Sequence, residues 1–187
     1  MNLKESSSHG FEYYIGIDQS IAHSGICVLK AGHKKEDDFK IEEVFGISTH
    51  PSSFFEHRVI LIKQKIEEVV DKYKSDIGDN LFVAIEGLAF APKRGNNITM
   101  LYGLFSVILV MLEEKGIPYK VITPLSLKKS YTGYGKSKKP EMLAATSPGV
   151  ISELSEKSKV KSTIKKFEDI IDAFALASVS HNEQYKV

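Results

Sequence analysis

Between residues 11 and 48 the chain makes three short β-rich runs with brief connections, and this is the feature that most narrows its fold. Residues 11–18 read Phe-Glu-Tyr-Tyr-Ile-Gly-Ile-Asp, residues 25–30 form a second run, and residues 40–48 (Lys-Ile-Glu-Glu-Val-Phe-Gly-Ile-Ser) a third. Connections this short join antiparallel neighbours, because a parallel pair needs a crossover of a dozen residues or more. The runs therefore predict an antiparallel meander. The period then changes. Over residues 52–74 the apolar positions fall at Val59, Ile62, Ile66, Val69 and Val70, which is helical spacing, with Ser52 or Ser53 as N-cap. A buried strand follows at 81–86, a long apolar helix at 96–115 stopped by Gly116 and Pro118, and a fifth strand at 119–123. After a turn at 132–135 and short helices, a terminal helix spans 165–182. Strands followed by helix, strand, helix, strand and helix predict an α/β domain: a five-stranded mixed sheet, its first three strands antiparallel, with helices on both faces.

With 187 residues the chain fits one domain, 11–187, behind a polar tail, 1–10, that lacks the apolar segment of a secretory signal. No stretch is apolar enough to span a membrane, so no membrane partner is expected. The single cysteine, Cys27, sits in an apolar run and reads as a small core residue, which suits an intracellular, reducing compartment. Net charge is only +1, yet residues 120–166 carry eleven lysines against three acids. That asymmetry predicts a polyanion partner for one face.

The chemistry concentrates on acids. Asp18 and Glu86 each close an apolar strand pattern, Ile15-Gly-Ile-Asp18 and Val83-Ala-Ile-Glu86. Strand carboxyl ends are where open α/β sheets gather their sites. Half-buried acids are costly there unless paired, hydrogen-bonded or bound to a cation. Asp169 and Asp172 share one face of the otherwise apolar terminal helix, and a helix start favours both. Each acid alone also has a structural explanation, as a turn acceptor or a helix-start acid. Together they supply hard oxygen ligands of the kind Mg²⁺ prefers. Two such ions about 4 Å apart can activate a water and stabilise the leaving oxygen of a phosphodiester.

These residues, in order, resemble a known family. The series Ile15-Gly-Ile-Asp18-Gln-Ser-Ile-Ala-His-Ser-Gly25, then Ala84-Ile-Glu86, then Asp169-Ile-Ile-Asp172-Ala-Phe-Ala-Leu-Ala177 is similar to RuvC-type Holliday-junction resolvases. The segment Lys128-Lys-Ser-Tyr-Thr-Gly133-Tyr-Gly135-Lys-Ser-Lys-Lys139 resembles the basic Gly-x-Gly segment of the same family. The likeness runs over residues 13–180. It implies a ribonuclease H-like fold and a homodimer that cuts four-way DNA junctions with paired nicks. Asp18, Glu86, Asp169 and Asp172 would hold two Mg²⁺ ions, with Mn²⁺ able to substitute. Lys139 would act at the scissile phosphate, and Lys128, Lys136 and Lys138 would contact DNA.

The chain also departs from the family. Gln19-Ser20 stand where the family often has Pro-Gly, and Phe90 stands about one position from the family's junction-stacking aromatic. Lys93 and Arg94, in a basic glycine-containing loop, suit phosphate contacts. Ser24 matches a hydroxyl position that orients the strand turn. His23 could serve as a general base, although two-metal nucleases need none. The helix at 96–115 is apolar on more faces than one sheet covers, which predicts burial all round or against a second copy.

Three rivals bear on function. Actin-like ATPases have a similar strand and phosphate loop, but they need two such domains. With no Walker-type loop, no nucleotide cofactor is expected. A DNA-binding scaffold without activity has no reason to gather unpaired carboxylates. A nuclease for flaps, forks or RNA–DNA hybrids would keep the same chemistry.

Overall fold

The structure is a computed structural model that describes residues 10–32, 38–74, 80–88 and 96–185. Its sheet comprises β1 (Tyr13–Asp18), β2 (His23–Ala31), β3 (Phe39–Ser48), β4 (Leu81–Glu86) and β5 (Tyr119–Ile122), in the order β3-β2-β1-β4-β5. The first three strands form the expected antiparallel meander, while β4 runs parallel to β1 and β5 parallel to β4. The helices are α1 (Phe55–Tyr73), α2 (Asn96–Glu114), α3 (Pro124–Thr132), α4 (Lys139–Ala145), α5 (Pro148–Ser158) and α6 (Phe167–Glu183).

Strand alternation builds two cores. Ile15, Ile17, Ile26, Val28, Val83 and Ile85 point to one face, where α1 and α2 cover them. Tyr14, Cys27, Leu29, Val44 and Ala84 point to the other, beneath α3 to α6. Cys27 is fully buried, as its apolar neighbours predicted, and burial pushes its thiol well above the ordinary range. Among the described residues no helix is long and apolar enough to cross a membrane.

One expectation needs correction, and one that left two alternatives open is narrowed. The N-cap of α1 is Phe54, with no side-chain cap bond. Ser52 is engaged instead in the preceding turn, its hydroxyl 2.7 Å from His50 Nδ1. In α2, Leu104, Ile108, Met111 and Leu112 are buried, but Tyr102, Val107 and Val110 are exposed. The helix is therefore not buried all round within one chain.

Candidate active site

Alternation also decides which acids meet. On β1, Ile15 and Ile17 face α1 and α2, so Asp18 faces α6; on β4, Val83 and Ile85 do the same, so Glu86 also faces α6. Ile17 pairs with Ile85 in parallel register, which places both acids at the ends of neighbouring strands, on one face. The turn after Asp18 is fastened despite lacking Pro-Gly. Ser24 Oγ donates to the Ser20 carbonyl at 2.7 Å and accepts from the Ser20 amide at 3.1 Å. Arg58 adds a bond to the Ile21 carbonyl at 3.0 Å.

Helix α6 brings the other two acids. It lies close on the sheet because two glycines permit it. A Cβ on Gly16 would stand 1.9 Å from the Ala173 carbonyl oxygen, and one on Gly25 2.1 Å from that of Asp169. The first turns of α6 therefore rest on β1 and β2, with Asp169 and Asp172 over the strand ends.

Every acid in the site has found a neighbour. Asp18 and Glu86 stand side by side, each acting on the other's carboxyl. Burial pushes the Asp18 carboxyl well above the usual range, and the charges of Glu86 and Asp169 add to it while Lys139 opposes. Burial raises Glu86 as well, against the pull of its contact with Asp18 and the positive charges of Lys139 and Lys128. Asp169 Oδ2 lies 2.8 Å from His23 Nδ1. Asp172 is 5% exposed, and its Oδ2 pairs with the Lys139 ammonium. Its Oδ1 is buried with no hydrogen-bond partner among the described residues. As the side chains stand, no three His, Cys, Asp or Glu groups among the described residues form a ready-made metal cage. The donors nonetheless fit a hard divalent cation: all are oxygens, two carboxyls are costly to ionise without positive charge, and one buried oxygen has no hydrogen-bond partner among the described residues.

The basic residues stand around this centre. Lys139 opens α4, Lys128 on α3 reaches Glu86 electrostatically, and Lys136 and Lys138 are exposed on the segment between. That segment is held by Thr132, whose hydroxyl donates to the Lys128 carbonyl at 2.8 Å and meets Ser137 Oγ at 2.7 Å. Lys93, Arg94 and Phe90 lie outside the described residues. Sequence reasoning had missed that His23 reaches Asp169. The two are 146 residues apart, and the only hint was a histidine beginning a strand beside the first acid.

A mixed sheet of this order, with acids at the ends of its central strands and on the helix laid across them, defines a ribonuclease H-like protein with a carboxylate site. Residues 14–181 match the family described as crossover junction endodeoxyribonuclease RuvC. The chain belongs to that family. It is 25% identical over 173 residues to the crossover junction endodeoxyribonuclease RuvC of Ruminiclostridium cellulolyticum, covering 92% of this chain and 93% of the relative. Its fold is similar to that of Thermus thermophilus RuvC, with a TM-score of 0.69 at 20% identity over 92% of this chain and 96% of the other. The T. thermophilus protein in complex with Holliday junction substrate gives a TM-score of 0.65 at 19% identity over the same shares.

Proposed function

We propose that this chain resolves four-way DNA junctions by paired nicks, with Asp18, Glu86, Asp169 and Asp172 holding two Mg²⁺ ions and Mn²⁺ able to replace them. The observation that carries the proposal is the crowding of four acids in a largely buried space where Asp172 Oδ1 has no hydrogen-bond partner among the described residues. Such a cluster is stable as a set of anions only around positive charge. Held by these acids, Mg²⁺ would supply the positive charge that polarises a phosphodiester and acidifies water.

The chain's own groups do the rest. Asp18 and Glu86 come from rigid strand ends, so their oxygens are placed before substrate arrives. Lys139 already offsets the charge of Asp172 and Asp18, and its half-exposed ammonium can meet the negative charge that builds on the phosphate. Lys128, Lys136 and Lys138 hold the DNA backbone, which fixes register without reading bases. Residues 11–187 act as one catalytic domain, and a DNA substrate with a lone buried thiol suits a reducing, intracellular setting.

Paired nicks need two sites, and the exposed apolar side of α1 and α2 offers a way to bring them together. Ile60 and Val107 share a shallow groove that continues past Lys63 to Val110, and all three apolar residues are exposed. We assign this face to a two-fold homodimer.

The test is cleavage of a synthetic four-way junction beside a flap, a fork and a linear duplex, with strand ends labelled separately. Symmetric nicks on the junction alone are the expected result. Equal cutting of flaps and forks would replace junction resolution with a general branched-DNA activity. Junction binding with no cutting of any substrate would favour the inactive scaffold.

A further inference from the structure

We infer that His23 is a positioning residue that fixes Asp169 for the divalent cation, an inference that rests on the metal-binding reading above. His23 is the first residue of β2, lies on the α6 side of the sheet and is 9% exposed. A carboxylate can only accept a hydrogen bond, so the 2.8 Å contact has His23 Nδ1–H donating to Asp169 Oδ2. That bond fixes the carboxylate through one of its two oxygens.

Three further features make the contact a built one. The imidazole lies over Gly46 on β3, where a Cβ would stand 2.4 Å from Nε2 and 2.6 Å from Cε1. A side chain at Gly46 would push the ring off its seat. Gly46 is the cross-strand partner of Gly25, the residue on which the Asp169 backbone rests, so a pair of glycines accommodates both partners of the bond. Lys166, at the start of α6, donates to Ser48 Oγ at 3.1 Å, and Ser48 is the cross-strand partner of His23. The backbone of Asp169 is thereby held by β2, its side chain by His23, and its helix by β3. A group that orients a metal-binding carboxylate from outside typically contributes about 10–100-fold in metal affinity. The same bond used only to dock α6 would affect stability and not affinity.

The experiment is Mn²⁺ binding followed by electron paramagnetic resonance, without DNA, for the wild type, His23→Leu, His23→Asn and Gly46→Ala. Asparagine can donate from nearly the position of Nδ1, whereas leucine fills the space without a donor. The inference predicts that His23→Leu weakens Mn²⁺ by about 10–100-fold, that His23→Asn restores most of it, and that junction affinity in EDTA stays unchanged. Gly46→Ala keeps the imidazole but displaces it, and should lose affinity like His23→Leu; it decides the matter if the leucine variant does not fold. Wild-type Mn²⁺ affinity in folded His23→Leu or folded Gly46→Ala would overturn the inference while leaving the metal-binding reading intact. Failure of the wild type itself to bind Mn²⁺ would overturn both.

Discussion

Asp18 and Glu86 occupy positions where charge is expensive, and that expense has measurable consequences. Both carboxyls are raised in the folded protein, by burial first, so the folded state binds protons more tightly than the unfolded chain. Their contribution to stability is full below the ordinary carboxylate range and is lost as pH rises through the raised range. Without divalent ions, thermal stability should therefore decline from mildly acidic toward neutral pH. Asp18→Asn should flatten that decline and raise the neutral-pH Tm by roughly 2–4 °C, what about 1 kcal/mol gives in a domain of this size. A lower Tm for Asp18→Asn would mean that the carboxylates are not strained. Lys139 carries the complementary prediction. Lys139→Gln removes the ammonium paired with Asp172 and should slow junction cleavage by about 10²–10³-fold, the cost of losing one preorganised transition-state contact. Equal losses in junction affinity would instead make Lys139 only a phosphate anchor.

At the scale of elements, the decisive device is the close seating of α6 on the sheet. Gly16→Ala would place a methyl group against the Ala173 backbone, so strand and helix must separate. The expected cost is about 1–3 kcal/mol, as for other overpacked cores, read as a fall in Tm together with weaker Mn²⁺ binding. An unchanged Tm would show that α6 tolerates a higher seat. Much of this architecture was legible in the sequence. Strand and helix periods are local signals, and an acid closing an apolar run marks a strand end, so the placement of Asp18 and Glu86 followed from β1 and β4 alone. The three-residue spacing of Asp169 and Asp172 likewise put both acids on one face of α6. What was hidden depends on competing local bonds and on distant partners. Ser52 gave a cap signal that His50 diverts, and the exposed stripe of α2 appears only once the sheet selects which side to cover. The contact of His23 with Asp169 requires the whole fold.

For the whole molecule, two surfaces matter: the lysine-rich side over α3 to α5 and the apolar side of α1 and α2. A charge introduced into the apolar groove proposed for the dimer, Val110→Asp, should yield a monomer by sedimentation that still binds Mn²⁺; a persistent dimer would place the interface elsewhere. The measurement that tests the account most directly compares cleavage and binding of a four-way junction by the wild type and by Asp18→Asn, Glu86→Gln, Asp169→Asn and Asp172→Asn, with Mg²⁺ or EDTA. The account predicts Mg²⁺-dependent nicking by the wild type, loss of nicking in all four variants, and junction affinity retained in each. Nicking that survives EDTA, or that survives removal of these acids, would contradict it.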